Sequence, residues 1–314
     1  MHILKIKAAH GGKAHGTNNL VSFGGSIEQS AKLYIVYWGA EWQTGFTTGG
    51  YTSAQAQSYI EGFFNGVGGS SWANSTTQYC QGVPVGTVQC GTAVVHPSNP
   101  ANELAGTWND TSTVPTSPAQ FDISNEARAL AAHFGGVNNQ ADYMVLTPTG
   151  HSMNGFATSW CAWHSSSGSM SYSYIPYQPD AAGSCGMNFV NPSNNAFGNG
   201  YFDGFSIVGG HEYAETITDP YPDTGWLDRF AAENGDKCAW ISSAREPPRT
   251  SAWAARVTPF SRCGATPSTT EAEAASTRTR TPAPHPSLKT CPRTRRRRAS
   301  SASRARLPSR LHRR

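Results

Sequence analysis

Apolar positions in residues 21–240 recur with the periods of buried strands and of amphipathic helices. Residues 33–38 (LYIVYW) form a near-continuous apolar run that ends at Gly39, which predicts a buried strand. Residues 52–64 place apolar side chains at helical spacing behind a Thr/Ser cap, which predicts a helix. Residues 172–177 are predicted to form an edge strand, because they contain Pro176. The same criteria predict further strands over 92–96 and 143–147, and helices over 123–134 and from Gly204 to before Pro220.

This alternation of strands and helices favours an α/β (α+β) fold, in which helices pack on a mixed sheet. It matches the zincin-like layout, where an edge strand runs beside the cleft and a His-Glu helix lies beneath it. We expect one globular domain over residues 21–243, preceded by an N-terminal segment (1–20) that is disordered. Residues 244–314 are predicted to form a disordered, basic, low-complexity tail.

The last predicted helix contains the sequence His-Glu-x-x-Glu, formed by His211, Glu212 and Glu215. Residues four apart share a helix face, so His211 and Glu215 can hold one cation between them. Glu212 lies about 100° round the axis, where it can act as a general base on a water at the metal. This is the zinc-protease helix His-Glu-x-x-His with the second histidine replaced by a carboxylate. The alternative is an exposed acidic helix whose histidine is incidental.

Two glycines, Gly209 and Gly210, precede this motif. Each costs about 1 kcal/mol relative to alanine inside a helix. Their presence indicates that another part of the chain or a substrate approaches the helix closely.

A tetrahedral zinc site with an open position needs a third protein ligand. Glu233 and Asp236 are the candidates, because a turn containing Pro220, Pro222 and Gly225 can fold the chain back over the helix. The alternative for both acids is a solvated loop, or capping around Gly235. Asp219 is expected to end the helix or to form an Asx turn.

Residues 147–165 contribute further candidates for the site. His164 can line the cleft as a proton donor or an oxyanion stabiliser, or it can lie on an aromatic surface. Cys161 precedes it in a Cys-x-x-His arrangement, but we expect Cys161 to form a disulfide. Cysteine spacing suggests two local disulfides, Cys80–Cys90 and Cys161–Cys185, which leaves Cys238 as an odd fifth cysteine before residue 244. The alternative is that all five cysteines are reduced and buried.

The charge of the chain changes sign near residue 244. Residues 1–243 hold 7 of the 24 Lys and Arg and 17 of the 20 Asp and Glu, a net charge of −10. Residues 244–314 hold the others, a net charge of +14. The first part is rich in Gly, Ser, Thr, Asn, Tyr and Trp and poor in Lys, which suits an extracellular protein.

A change of reading frame accounts for the tail better than a nucleic-acid-binding arm does. One permitted back-translation, read in another frame, continues the domain with a strand-like run, a Gly-rich turn and a cysteine that would pair with Cys238. We therefore interpret the chain from about residue 244 as a frameshift product, which the coding DNA tests, and we expect no nucleic-acid partner. The first 16 residues lack an apolar run long enough for a signal peptide, and no run is long enough for a membrane span. Export would therefore need an upstream start or another route.

Four motifs occur in a distinctive order: Gly24-Gly25-Ser26 before LYIVYWG, then NGFATSWCAWHS, GGHEYAETITDP and ENGDKC. Together they resemble the phosphate-induced/EXORDIUM-like family, in particular its bacterial members, over residues 18–243. The resemblance implies an extracellular, cell-wall-associated protein, and it implies a location and a fold more than a reaction. The family's histidine–acid helix corresponds to His211, Glu212 and Glu215, and its later acidic element corresponds to Glu233, Asp236 and Cys238.

The sequence therefore predicts a secreted metallohydrolase that acts on peptide bonds. His211 and Glu215 would bind Zn²⁺ with Glu233 or Asp236, and Glu212 would be the general base. The partner would be a peptide or cell-wall substrate. The alternative is a non-catalytic extracellular protein of the cell wall or surface, with a structural metal or none.

Overall fold

A six-stranded mixed sheet with helices on both faces is the main feature of the structure. The structure is a computed structural model that describes residues 2–5, 19–191 and 200–239. Its elements in chain order are β1 (His2–Lys5), β2 (Val21–Ser22), β3 (Lys32–Trp38), α1 (Glu41–Thr44), β4 (Thr47–Thr48), β5 (Tyr51–Thr52), α2 (Ser53–Val67), β6 (Leu104–Asp110), α3 (Gln120–His133), β7 (Ala141–Leu146), β8 (Trp160–Ser167), β9 (Met170–Ile175), α4 (Asp203–Thr218) and β10 (Trp226–Leu227).

The strands of the sheet lie in the order β1-β8-β9-β7-β3-β6. Strands β9, β7, β3 and β6 run parallel to one another, whereas β8 is antiparallel to both of its neighbours, β1 and β9. β7 is buried along its whole length. Parallel strands covered on both faces read as continuous apolar runs, which is why β3 and β7 were visible in the sequence.

Helices α3 and α4 cover opposite faces of this sheet. Neighbouring residues of a strand point to opposite faces. On β8, His164 reaches α4 through Glu212, while the next residue, Ser165, lies 3.4 Å from Nε2 of Gln120 on α3. The predicted α/β arrangement is thus observed as helices on both sides of a mixed sheet.

The two glycines before His211 let α2 approach α4. A Cβ at Gly209 would lie 3.2 Å from the ring of Phe64, and one at Gly210 would lie 3.1 Å from the ring of Phe63. The sequence indicated a close approach at this point, and in the structure the approaching groups are aromatic side chains of α2.

The predicted helices, and the strands over 33–38 and 143–147, are confirmed with shifts of a few residues. α2 begins at a capping box: Thr52 Oγ1 accepts a hydrogen bond from the Gln55 backbone (3.3 Å), and Gln55 Oε1 accepts one from the Thr52 backbone (2.9 Å). The two predicted disulfides join Cys80 to Cys90 and Cys161 to Cys185, with Cα–Cα distances of 6.0 and 5.4 Å.

Two strand predictions were wrong. Residues 92–96 form no strand, because their pairing is a single bridge between Val95 and Gln81. The strand near 172–177 is β9, and it lies inside the sheet between β8 and β7 rather than at an edge. Pro176 follows the last residue of β9, so it removes no hydrogen bond from the ladder.

Three strands of the sheet were absent from the prediction. β8 carries serines and a histidine, and β6 contains Gly106, where a Cβ would lie 2.5 Å from the Phe134 ring, so neither has a regular apolar pattern. β1 lies in the N-terminal segment that was predicted to be disordered. It pairs with β8, whose outer edge would otherwise present open backbone groups.

The predictions for residues 244–314 and for the pairing of Cys238 lie outside the described residues. Within the described part, none of the helices combines the length and the apolar character that a membrane crossing requires.

Candidate metal centre

Helix α4 carries the His-Glu-x-x-Glu motif in a buried position. Glu212 and Glu215 have no exposed surface, and His211 is 5% exposed. His211 Nε2 lies 2.8 Å from Glu215 Oε1, one turn further along the helix. The alternative of an exposed acidic helix is therefore wrong, because both faces of this motif are covered.

The chain after α4 returns to the helix, as the turn residues predicted. Asp219 ends α4, which confirms one of its two predicted roles, and its carboxylate accepts hydrogen bonds from the backbones of Asp223 (2.9 Å) and Gly225 (2.7 Å) in the following turn. Further along, Asn234 Nδ2 donates to the Ala214 carbonyl of α4 at 2.8 Å. This bond fixes the segment that contains Glu233 and Asp236 against the helix.

Both candidate third ligands, Asp236 and Glu233, lie close to a histidine of the site, and each lies beside a different one. Asp236 Oδ1 lies 3.7 Å from His211 Nε2, and Glu233 Oε2 lies 3.7 Å from His164 Nε2. Glu233 is completely buried, and the Asp236 side chain is 23% exposed. Glu233 is therefore no solvated loop residue.

Strand β8 supplies His164, whose side chain is completely buried. It is the sixth residue of a cluster whose other members are His211, Glu212, Glu215, Glu233 and Asp236. Its Nδ1 lies 3.1 Å from Glu212 Oε2 and 3.5 Å from Glu215 Oε2. A proton on Nδ1 donated to Glu212 leaves Nε2 as a metal ligand or acceptor, the arrangement that orients metal-binding histidines in many proteins. Cys161, in its disulfide, takes no part, and as the third residue before His164 it points to the other face of β8.

Two triads in this cluster offer one ligand atom per residue within 4.8 Å of one another. We call His211, Glu215 and Asp236 the outer triad, and His164, Glu215 and Glu233 the inner triad. Both triads include Glu215. The outer triad contains the partly exposed residues, and the inner triad is completely buried.

The charge of the cluster favours a cation. Four carboxylates face two imidazoles, so when all four are ionised even two imidazolium ions leave two negative charges among these six side chains. Buried carboxylates need such compensation, because transfer of an uncompensated charge from water costs many kcal/mol. The nitrogen and oxygen donor set suits Zn²⁺ and other divalent transition metals.

The structure brings together all six residues that the sequence indicated, and it has two features that the sequence reasoning did not foresee. That reasoning offered Glu233 and Asp236 as alternatives, whereas the structure uses each on a different side of Glu215. It considered Gly235 only as a capping position, whereas a Cβ at Gly235 would lie 2.8 Å from Glu215 Oε1 and 2.9 Å from His211 Nδ1. The glycine between two candidate acids was the available signal.

Another histidine of the sequence segment 147–165 lies elsewhere. His151 Nδ1 is 3.1 Å from the Pro115 carbonyl, and its Nε2 is 3.8 Å from Glu41 Oε1. It contacts neither triad through these atoms.

Comparison with known proteins adds nothing to the site geometry. The chain matches no protein-family model, no curated protein sequence and no solved structure.

Proposed function

We propose that the protein is a zinc-dependent hydrolase, peptidase-like and extracellular, with the outer triad as its metal-binding site. The observation that carries the proposal is the convergence of His211 Nε2, Glu215 Oε1 and Asp236 Oδ1 at a partly exposed point. His211 Nε2 lies 2.8 Å from Glu215 Oε1 and 3.7 Å from Asp236 Oδ1. These distances lie on either side of the separation of roughly 3.3 Å between neighbouring ligands of tetrahedral zinc.

Each residue has a defined part in this proposal. The outer triad would hold Zn²⁺, which supplies Lewis-acid chemistry to water and to a substrate carbonyl. Glu212 would accept the proton of the attacking water and pass it to the leaving amine. His164 would hold the Glu212 carboxylate through the contact of 3.1 Å.

The extracellular assignment is supported by the two disulfides, which persist in oxidising compartments. The EXORDIUM-like resemblance supports the same location, and it suggests a peptide or cell-wall component as the substrate.

The test is the metal content and peptidase activity of the purified full chain with Glu212→Gln. We expect zinc to remain bound and kcat on a fluorogenic peptide library to fall at least a hundredfold, since a general base contributes 10²–10⁴-fold. Glu126→Gln is the matched control, because Glu126 is buried on α3, across the sheet, and burial raises its pKa to about 8. A chain that binds no zinc, or a Glu212→Gln variant with full activity, would contradict the enzyme proposal.

The second candidate is a non-catalytic extracellular protein that keeps the metal as a structural element. The complete burial of Glu212 and His164 favours it, because a general base must meet water and substrate. Bound zinc together with no hydrolysis of any peptide or cell-wall substrate by the wild-type chain would support this candidate.

A further inference from the structure

The two triads meet at one carboxylate whose oxygens face different histidines. Glu215 Oε1 lies 2.8 Å from His211 Nε2, and Glu215 Oε2 lies 3.5 Å from His164 Nδ1. We propose that the centre holds two divalent cations bridged by Glu215, one in the outer triad and one in the inner triad. The inference rests on the proposed function, because it adds a second cation to the same site.

The inner triad has the donors of a metal site in its own right. His164 Nε2 lies 3.7 Å from Glu233 Oε2, and His164, Glu215 and Glu233 each offer one ligand atom within 4.8 Å of the other two. His164 faces Glu215 through Nδ1 and Glu233 through Nε2, so its ring lies between the two carboxylates of this triad. Carboxylates that bridge two cations are the common design of two-metal hydrolytic sites, in which the metals lie roughly 3.5–4 Å apart.

Charge balance favours two cations over one. Glu212, Glu215, Glu233 and Asp236 carry four negative charges when ionised, and neutral imidazoles offset none of them. One divalent cation halves this charge, and two cancel it. Because three of these carboxylates are completely buried, a second cation would offset charge that a one-metal centre would have to neutralise in another way, such as protonation.

The two positions differ in access to solvent. The side chains of His164, Glu215 and Glu233 are completely buried, whereas His211 and Asp236 have side-chain exposures of 6% and 23%. The outer cation is therefore the exchangeable one that can meet a substrate. The inner cation is expected to exchange slowly and to fix Glu215 and β8 in place.

The first experiment measures metal stoichiometry in the full chain. The protein is stripped with a chelator under mild denaturant, refolded with Zn²⁺, desalted and analysed for zinc by mass spectrometry. We expect two equivalents, with one lost quickly and one slowly when the chelator is added again. One equivalent lost in a single phase would overturn the inference and leave the proposed function standing, whereas no bound zinc would overturn both.

Variants then assign the two equivalents. Glu233→Gln is expected to keep only the fast-exchanging equivalent, Asp236→Asn to keep only the slow one, and Glu215→Gln to lose both. The control Glu126→Gln should keep two. A Glu233→Gln protein that still holds two equivalents would overturn the assignment of the inner triad.

A spectroscopic measurement on the wild-type chain covers the case in which a variant fails to fold. Two Mn²⁺ ions bridged by a carboxylate couple magnetically, so the Mn²⁺-loaded protein should give a broad exchange-coupled electron paramagnetic resonance spectrum. An isolated six-line signal at full loading would overturn the two-metal centre.

Discussion

Gly235 shows how one residue without a side chain allows the site to close. Its backbone is helical (φ −64°, ψ −42°), so any residue could adopt its conformation. The requirement is space, because a Cβ would lie 2.8 Å from Glu215 Oε1 and 3.0 Å from His211 Cε1. The backbone at this glycine therefore lies directly against the pair of α4 ligands.

Gly235→Ala is expected to weaken zinc binding at least tenfold, because the added methyl group must push the Asp236 segment away from the outer triad. Titration calorimetry with Zn²⁺ measures the loss. Gly62→Ala is the control: Gly62 lies within α2, and a Cβ there would meet no atom within 4 Å. This control should bind zinc normally and gain roughly 0.5–1 kcal/mol in stability from helix propensity. Unaltered zinc affinity in Gly235→Ala would contradict the site geometry.

At the scale of elements, β8 joins the sheet to the site. It places His164 beneath α4, and a disulfide at its start ties Cys161 to Cys185 at the end of the single-turn helices over Gln178–Cys185. Gln178 Nε2 adds a hydrogen bond of 3.0 Å to the Cys161 carbonyl. The position of His164 therefore depends on a strand that is anchored covalently.

Replacement of both Cys161 and Cys185 by alanine should cost roughly 3 kcal/mol of unfolding free energy, the usual value for a loop of this length. The sequence separation is 24 residues, compared with 10 for Cys80 and Cys90. Replacement of the shorter pair should therefore cost less, by the loop-entropy argument. Urea unfolding of both double variants measures the difference, and an equal or reversed order would show that strain or unfolded-state structure outweighs loop entropy.

Some helices and strands could be predicted from the sequence and others could not, for a physical reason. α2, α3 and α4 have helical periodicity or caps, and β3 and β7 have continuous apolar runs, so local pattern was sufficient for them. β8 was missed because its buried face carries His164, a polar residue that only the carboxylates of α4 and the returning loop accommodate. Its partners lie 48 or more residues away along the chain, beyond the reach of local pattern.

At the scale of the whole molecule, three further acids are buried beside the sheet, separately from both triads. Burial raises the pKa of Asp142 and of Glu103 to about 7, and it raises the pKa of Glu28 together with the nearby charges of the other two. Asp142 accepts a hydrogen bond of 2.6 Å from Ser173 Oγ. Among the described residues, neither carboxylate oxygen of Glu28 has a hydrogen-bond partner.

These acids make the stability of the metal-free protein depend on pH. The unfolded chain releases the Asp142 proton near pH 3.9, whereas the folded protein holds it to about pH 7. The folded state binds more protons than the unfolded chain in this window. The stabilisation of the folded state by protonated Asp142 is therefore complete below about pH 4 and is lost as the pH rises through 7. The loss is roughly 1.4 kcal/mol for each pKa unit.

Asp142→Asn keeps a neutral group of the same shape and should remove this contribution. Relative to wild type, the variant is expected to be more stable at pH 8 and to show little difference at pH 4. Urea unfolding at several pH values, with metal chelated, measures this. The control is Asp223→Asn at an exposed turn, where φ is 72°, a conformation that asparagine tolerates. A constant difference between Asp142→Asn and wild type at all pH values would contradict a neutral Asp142.

The sequence by itself determined the helix that bears His211, Glu212 and Glu215 and the return of the chain with two acids, and it suggested the two local disulfides. Each of these depends on residues close together in the chain, where helical period, turn residues and cysteine spacing are direct signals. Only the tertiary structure decided that His164 joins the same cluster and that Glu215 lies between two triads. It also placed Glu233 and Asp236 on different sides of Glu215. Those relations depend on which strand lies under α4 and on how closely Gly235 approaches that helix. Contacts between residues that are far apart in the chain leave no periodic pattern in the sequence.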